Sequence, residues 1–367
     1  MKQHNHNSIH LPRRQVLLGL GLAGLGLAAP AIVRAQSAKV IRLGAPDFGV
    51  GDKSSAGGAL LTIVQQNKWL EEEFAKDGVK IEWHFFRGAG PAVAEALSAR
   101  QLDIVSLGDL ASVLHRSRGL PTRLIVPGGR DTHSYLATAP GSTIRSVADL
   151  KGRKVAVLKG TAYQRPFDKL LASAGLSEKD IKLINMDWPS SKAAVVAGQI
   201  DATFGGSDLF LLKDKGVEIA LSTKGRGPGF TISSGILGTE EFIQGNPQWT
   251  QRLARQLVRA AHWASQDANR EALIRLYAGH SGSPEIVYRA ELEGENLAAR
   301  YSPLIDEDFV ANYQGVLDDG LKLGLVRQGF DIPSWFEPRF VQQALKDFKL
   351  EKQWTARDAQ GKGKVKA

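Results

Sequence analysis

The chain has 367 residues, of which 43% are hydrophobic and none is cysteine, and its formal net charge is +9. The absence of cysteine excludes disulfides, thiol nucleophiles, iron–sulfur clusters and thiolate zinc sites, and residues 36–367 are long enough for two ordinary domains. Four basic and no acidic residues lie in 1–35, and five basic residues with one acid lie in 352–367; the segment between them is nearly neutral, so we expect no nucleic-acid partner.

Residues 1–35 are predicted to be an export signal that is cleaved near Ala35. Arg13-Arg14 precede an apolar run from Val16 to Ala29, which is short for a transmembrane helix and ends at Pro30. The paired arginines favour the twin-arginine route, and the residues that flank them leave the general secretory route open. The sequence therefore predicts a periplasmic protein.

Short apolar strands alternate with helices over the next hundred residues. Because strands that alternate with helices form mostly parallel sheets, this pattern indicates an α/β lobe. Strands are predicted at 40–44, 79–86, 103–106, 124–127 and 135–138, with a break at Gly128-Gly129, and helices at 57–76, from Pro91 to about 100 and from about Asp109.

A second series of strands and helices starts at Ser146, which is placed to cap a short helical turn. The apolar run 155–158 predicts a buried strand, and the spacing of Phe167, Leu170 and Leu171 predicts a helix after Gly160-Thr161. A helix that starts at the carboxyl end of a parallel strand directs free N–H groups into a cleft, so this turn is a candidate anion site. Further strands are predicted at 181–186, 201–204, 217–221 and 231–237, and a helix from about Pro189.

The two series share a design. Gln101-Leu102-Asp103-Ile104 and Gly198-Gln199-Ile200-Asp201-Ala202 each end a helix and enter a strand that finishes beside a small-residue loop. We therefore predict a two-lobed α/β fold, each lobe a mostly parallel sheet flanked by helices, with a ligand cleft outside the carboxyl ends of the strands.

The last third of the chain is predicted to be helical, at 247–268, 270–279, 284–300 and 307–322, and residues 331–348 close the folded body. The predicted divisions are the signal 1–35, a first lobe of 36–128 plus 231–350, a second lobe of 129–230, and a basic disordered tail of 351–367.

Three phrases in order carry a family resemblance: SVADLKGRKVAV with the following KG-T at 146–161, GLS-x-x-D-I at 175–181, and AGQIDA at 197–202. They resemble periplasmic solute-binding proteins of ABC importers for aliphatic sulfonates, taurine and nitrate. The resemblance spans about 40–240 and implies a type II periplasmic binding protein fold with two hinge strands. It also implies a protein, expected to be a monomer, that closes on one small anion and delivers it to an ABC permease and ATPase complex.

The resemblance places the ligand against loops that follow strands in both lobes. The chemistry of these loops fits an oxyanion, since glycine-rich helix starts donate N–H groups, a guanidinium binds anions in a forked geometry, and an aromatic ring packs an apolar substituent. The candidate residues are Asp47, Phe48, Arg87, Gly88, Ala89, Gly90, Gly108 and Asp109 in the first lobe, and Arg130, Gly160, Thr161, Ala162, Trp188, Ser207 and Asp208 in the hinge and second lobe.

Structural roles are the alternative for several candidates. Arg87 could be a solvated charge at a strand end, and Arg130 a partner of Asp131 or Asp208. Trp188 could plug a helix N-terminus, and the carboxylates Asp109 and Asp208 could be N-caps. Because Asp208 is followed by leucine, this side of the family pattern is loose, and taurine, nitrate, sulfate esters and aromatic carboxylates stay open beside an aliphatic sulfonate.

Enzymes on the same fold are a second functional class. Pyrimidine-precursor synthases of thiamine biosynthesis and sulfinate desulfinases resemble the chain, but both depend on cysteine, which is absent. The histidines after residue 35 are scattered too widely to suggest a metal triad. We therefore expect a binding protein without catalytic residues, cofactor or metal; a sensory subunit that binds the same ligand is a third possibility.

Overall fold

The computed structural model describes residues 39–364, and the predicted signal segment 1–35 lies outside the described residues, as do residues 365–367. Strands and helices alternate in the first two thirds of the described chain, and helices follow. The strands are β1 (Val40–Pro46), β2 (Lys80–Phe86), β3 (Ile104–Gly108), β4 (Thr122–Thr132), β5 (Tyr135–Thr138), β6 (Lys154–Val157), β7 (Lys182–Asn185), β8 (Ala202–Gly205), β9 (Glu218–Ser222) and β10 (Ile232–Thr239). The α-helices are α1 (Leu60–Gln66), α2 (Trp69–Phe74), α3 (Ala89–Ser98), α4 (Asp109–Ser117), α5 (Gln164–Ala172), α6 (Trp188–Val196), α7 (Glu240–Gly245), α8 (Pro247–Ala264), α9 (Arg270–Ser281), α10 (Glu285–Leu292), α11 (Leu297–Arg300), α12 (Glu307–Lys322), α13 (Ile332–Trp335) and α14 (Arg339–Phe348). Short 3-10 helices cover Ala75–Asp77, Ala148–Leu150, Glu178–Asp180, Ser207–Lys215 and Asp267–Asn269.

The strands form two five-stranded sheets of the same design. The first sheet has the order β2-β1-β3-β10-β4 and the second the order β7-β6-β8-β5-β9. In each, the first three strands pair in parallel, and the fourth position is an antiparallel strand, β10 or β5. Each sheet is therefore mostly parallel, as the alternation of strands and helices in the sequence predicts.

Both faces of each sheet are covered. Neighbouring residues of β3 join different core clusters: Ile104 packs with α1, α8 and α14, and Val105 packs with α3, α4 and α12. The same split separates Val155 from Ala156 in β6. Successive side chains of a strand point to opposite faces, so continuous apolar runs such as Val155-Ala156-Val157 are what a sheet buried on both sides requires.

Two segments connect the sheets, residues 133–134 between β4 and β5 and residues 223–231 between β9 and β10. Hydrogen bonds join the end of the first connection to the start of the second. The Ser134 N–H donates to Thr223 Oγ1 at 2.8 Å, and the Thr223 N–H donates to the Ser134 carbonyl at 3.0 Å. Both residues are fully buried, so the two connections cross side by side in the interior.

The predicted break at Gly128-Gly129 is absent from the structure of the described residues, because β4 continues in the first sheet to Thr132, past the lobe boundary predicted at 128. The glycines fall where the β4–β10 register shifts. A β-bulge accommodates the extra residues without ending the strand. The local sequence does not distinguish such a bulge from the end of a strand.

Two long helices predicted from the sequence are divided. The predicted helix at 57–76 is interrupted at Lys68, whose φ of 54° is left-handed, after the Asn67 side chain has closed the last turn of α1 on the Ile63 carbonyl. The predicted helix at 284–300 separates into α10 and α11. At Ser146 the predicted cap is reversed: the Asp149 carboxylate accepts from the Ser146 N–H at 2.8 Å and from its hydroxyl at 2.9 Å.

The prediction of a disordered tail is wrong for residues 351–364. Trp354 is 4% exposed within the core around α8, and its Nε1 donates to Ser265 Oγ at 2.9 Å. Arg357 donates to Asp131 Oδ2 at 2.9 Å and lies against Asp308. The prediction rested on the basic charges of this segment. It did not consider the apolar ring of Trp354 that lies among them, or the carboxylates that the fold brings to Arg357. Within residues 39–364, no helix is both long and apolar enough to span a bilayer.

Candidate functional site

A cavity of about 240 Å³ lies between the two sheets. Its walls come from the loops at the carboxyl ends of strands: residues 47–49 after β1, Gly108 at the end of β3, 161–163 after β6 and 206–208 after β8. This is where parallel α/β sheets bind ligands. The helices α10 and α11 supply one further wall, with Tyr288, Glu291 and Arg300.

Loops from the two sheets touch around this cavity. A Cβ added to Gly108 would lie 2.5 Å from the Ala162 Cβ, and one added to Gly160 would lie 3.4 Å from the Pro91 Cγ. The Ser207 hydroxyl donates to Glu291 Oε2 at 3.2 Å. The cleft is therefore closed in this structure, and Gly108 allows the closest approach because it has no side chain.

Four helices begin at the cavity. They are α3, α4, α5 and the 3-10 helix Ser207–Lys215, and their N-caps are Gly88, Gly108, Tyr163 and Gly206. None of these N-caps makes a side-chain capping hydrogen bond within the described part of the chain. The first N–H groups of a helix have no backbone partner inside it, and its dipole is positive there, so these starts direct backbone donors at the cavity. Two of the four carry a carboxylate in the first turn, Asp109 in α4 and Asp208 in the 3-10 helix, and Asp109 already accepts from the Leu110 N–H. By contrast, Asp187 caps α6 by accepting from the Ser190 N–H at 2.8 Å.

Four of the charged side chains at the cavity form two ion pairs. Lys192 donates to Asp208 Oδ2 at 2.6 Å, and Arg300 donates to Glu291. Burial lowers the pKa of Arg300, but Glu291 and the neighbouring tyrosines outweigh it and hold this pKa above its ordinary value. Asp47 accepts from the Gly49 N–H at 2.8 Å and from the Ser55 N–H at 3.1 Å, which fixes the loop after β1.

Aromatic rings form another part of the wall. Phe48 from the first sheet stacks on Trp188 from the second, with centroids 4.9 Å apart and planes 19° apart, and Tyr163 meets Trp188 edge-on at 5.9 Å. Burial raises the pKa of Tyr163 and of Tyr288, which also lines the cavity, so both phenols stay neutral near pH 7.

His133 lines the cavity beside the connection between the sheets. Its Nε2 lies 3.4 Å from Glu295 Oε1, and its Nδ1 has no hydrogen-bond partner in residues 39–364. The pKa of His133 lies below its ordinary value because the effect of burial outweighs the opposite effect of the Glu295 carboxylate. No group of three or more histidine, aspartate or glutamate side chains within the described ranges is arranged to hold a metal ion.

Ten of the residues predicted from the sequence line the cavity, so the structure brings them together from six loops; that they contact a ligand stays a prediction. Within this set, the Thr161 hydroxyl already donates to the Leu158 carbonyl, at 2.7 Å. The ten are Asp47, Phe48, Ala89, Gly90, Gly108, Thr161, Ala162, Trp188, Ser207 and Asp208.

Five predicted site residues are not among those that line the cavity: Arg87, Gly88, Asp109, Arg130 and Gly160. Arg87 is exposed and donates to the Gly51 carbonyl at 3.2 Å. Gly88 is the N-cap of α3, one residue before the lining, and the Gly160 N–H donates to Gln164 Oε1 at 2.8 Å.

Asp109 and Arg130 are structural. The buried Asp109 accepts from the N–H groups of Leu110, at 2.7 Å, and Ser233, at 2.9 Å, and its burial raises its pKa. Arg130 is 1% exposed and donates to Asp306 Oδ1 at 2.7 Å, whereas the sequence suggested Asp131 or Asp208 as its partner. Asp306 lies 176 residues away in the chain, so no local pattern indicates this pairing.

The sequence did not point to Tyr163, Lys192, Tyr288, Glu291 or Arg300 as part of the site. The last three belong to the helical final third, which carries no motif and reaches the cavity because α10 packs against the 3-10 helix Ser207–Lys215. Only Tyr163 had a usable signal, since it directly follows the Gly160-Thr161-Ala162 turn.

A family model described as "NMT1/THI5 like" matches residues 74–270. Among solved structures, the Methylobacillus flagellatus protein assigned as the periplasmic sulfonate-binding protein SsuA of a sulfonate ABC transporter is 32% identical. It superposes with a TM-score of 0.74 over 87% of this chain and 98% of that one.

Two further proteins are similar. The alkanesulfonate-binding protein SsuA from Xanthomonas axonopodis pv. citri, solved with bound MOPS, is 22% identical, with a TM-score of 0.69 over 82% of this chain and 98% of that one. A Bacillus subtilis (strain 168) protein assigned as an aliphatic sulfonates-binding protein is 26% identical over 297 residues, which are 78% of this chain and 85% of the relative. The two-lobed binding-protein fold and the family resemblance predicted from the sequence are thereby confirmed.

Proposed function

Because this chain belongs to the NMT1/THI5-like family, we propose that it is the periplasmic substrate-binding component of an ABC importer and captures a small organic anion, an aliphatic sulfonate or a related compound. Its partners in this role are the permease and ATPase complex of the inner membrane. The sulfonate-binding relatives support this choice of ligand class.

The convergence of four helix starts on one cavity carries the proposal. A sulfonate has three oxygens that accept hydrogen bonds in different directions, and the starts of α3, α4, α5 and the 3-10 helix Ser207–Lys215 offer backbone donors from both sheets. The acidic side chains at the cavity already have partners within the protein; Asp208, for example, pairs with Lys192. A cationic ligand would have to displace those partners.

The mode of action follows from the two-lobed fold. We infer lobes close to residues 36–128 plus 231–350 and 129–230, which open and close about the paired connections at Ser134 and Thr223. Export with cleavage near Ala35 and action as a monomer belong to the same proposal. Closure on a ligand without turnover is the behaviour expected of a receptor, and the absence of cysteine argues against the enzymes considered above.

A thermal-shift panel tests the ligand class. The purified protein is heated with hexanesulfonate, taurine, nitrate, a sulfate ester, benzoate and an aminopyrimidine, each over a range of concentrations. A ligand at one hundred times its Kd adds about 2.7 kcal/mol to the free energy of unfolding. Stabilisation by sulfonates is expected; stabilisation by the aminopyrimidine alone would refute the proposal.

The contact between Gly108 and Ala162 tests closure. Gly108→Ala places a methyl group 2.5 Å from the Ala162 Cβ, so the lobes cannot reach the closed arrangement and sulfonate affinity should fall at least about tenfold. In the double variant Gly108→Ala/Ala162→Gly the nearest atom is the residue 162 Cα at 3.8 Å, so affinity should recover. An unchanged affinity in Gly108→Ala would show that binding does not require this closure.

A further inference from the structure

We propose that the preferred ligand carries an aromatic ring on its sulfonate, and that this ring packs in the part of the cavity bounded by Phe48, Tyr163 and Trp188. We call these three residues the aromatic wall. The inference rests on the proposed function and narrows it from sulfonates in general to aryl sulfonates.

The aromatic wall is assembled from both halves of the closed cleft. Phe48 follows β1 and Trp188 starts α6, and their rings stack across the cleft at 4.9 Å. Tyr163 contacts the Trp188 ring edge-on, with the two centroids 5.9 Å apart. Offset stacking and edge-to-face contact are the arrangements that aromatic rings prefer, so a ligand ring entering this wall finds partners already oriented.

Phe48 is placed by its backbone surroundings as well as by Trp188. A Cβ added to Gly57 would lie 3.1 Å from the Phe48 Cδ2, so the ring rests directly on this stretch of main chain. Phe48 is nevertheless 36% exposed. The Phe48 ring is held in place but is not fully buried in the core. Its exposed part is therefore available to contact a ligand.

The size and polarity of the cavity favour a ring over a small polar anion. Its volume of about 240 Å³ equals the share of about eight molecules of liquid water. Nitrate or taurine would leave much of this space to water. The cavity is also lined by the aliphatic side chains Val50, Leu211, Ile232 and Val287, and a small polar anion would leave them in contact with water.

The charged groups leave the wall free for an uncharged ring. Lys192 with Asp208, and Arg300 with Glu291, are paired within the protein, whereas the helix starts provide the donors for the sulfonate. The oxyanion and the ring therefore have separate places in one cavity, which is what an aryl sulfonate requires.

Isothermal titration of the full chain with benzenesulfonate and hexanesulfonate tests the inference, because the two have the same charged group and the same number of non-hydrogen atoms. Aromatic pairs contribute beyond the area they bury, so benzenesulfonate should bind about 2- to 12-fold more tightly. Taurine should bind more weakly than either.

Variants at Trp188 separate recognition of the ring from general packing. Trp188→Leu should weaken benzenesulfonate more than hexanesulfonate and so abolish the preference, whereas Trp188→Phe should retain most of it. The control is Trp249→Leu: Trp249 on α8 packs edge-on against Phe74 on α2 and is not among the cavity-lining residues. It should leave both affinities unchanged.

Three outcomes would overturn the inference. If benzenesulfonate and hexanesulfonate bind equally to the unsubstituted protein, the wall does not select a ring, and the proposed function still stands. If Trp188→Leu weakens both ligands by the same factor, the ring of Trp188 acts only by filling space. If neither sulfonate binds, the proposed function fails together with the inference.

Discussion

The C-terminal segment 351–364 provides a decisive test of the packing described above, because a disordered tail and a packed one respond oppositely to a single substitution. Trp354 is 4% exposed, packs edge-on near His262 and donates to Ser265 Oγ at 2.9 Å. Trp354→Ala removes a buried aromatic side chain and leaves the Ser265 hydroxyl without that donor.

The expected cost follows from burial. Substituting a buried tryptophan or phenylalanine by alanine destabilises proteins by about 3–5 kcal/mol. The unfolding entropy is about 2.1 cal/mol/K per residue, so for roughly 330 residues this corresponds to a decrease in Tm of about 4 to 7 °C. Trp354→Phe keeps most of the ring and loses only the hydrogen bond, so about 1 kcal/mol is expected.

Differential scanning calorimetry of the ligand-free protein measures these shifts. The control is Gln353→Ala, since Gln353 is the exposed neighbour of Trp354 and its side chain should contribute little. A Tm for Trp354→Ala within about 1 °C of the unsubstituted protein would refute the packed tail and restore the disordered one predicted from the sequence.

Two further predictions concern buried charges. Arg130→Met leaves the buried Asp306 carboxylate without its cationic partner, so urea unfolding should show a loss of about 3–5 kcal/mol in the free energy of unfolding, with sulfonate affinity unchanged. Arg87 is exposed, so Arg87→Ala should leave the free energy of unfolding unchanged. Lost affinity of Arg130→Met at full stability would mean that Arg130 contacts the ligand. Burial and Glu178 raise the pKa of Asp168 to about 7, so the folded state binds a proton that the unfolded chain releases and stability falls as pH rises from about 4 to 7. Asp168→Asn should therefore gain in Tm relative to the unsubstituted protein between about pH 5 and pH 8, and a constant difference would contradict this titration.

Local sequence patterns determined the elements and their alternation. The apolar run at 155–158 is a strand that is buried on both faces, and the predicted helix at 307–322 matches α12 residue for residue. These signals are local, since hydrophobic periodicity depends on neighbours within one turn or one strand. The loops at the carboxyl ends of strands could likewise be identified, because strand direction in a parallel sheet fixes which loops share an edge.

The sequence did not determine which charges pair or which side chains face the cavity. Arg130 was a plausible anion ligand until the fold placed Asp306 beside it, and Arg300 and Glu291 had no motif to distinguish them. Residues that are distant in the chain come into contact only through tertiary packing. A single sequence does not show which of them will pair. Thus the sequence by itself determined the α/β elements, the family resemblance and the glycine-rich helix starts. Tertiary structure decided the closed contact of Gly108 with Ala162, the stacking of Phe48 on Trp188 and the burial of Trp354, because each depends on chain segments that only the completed fold brings within reach.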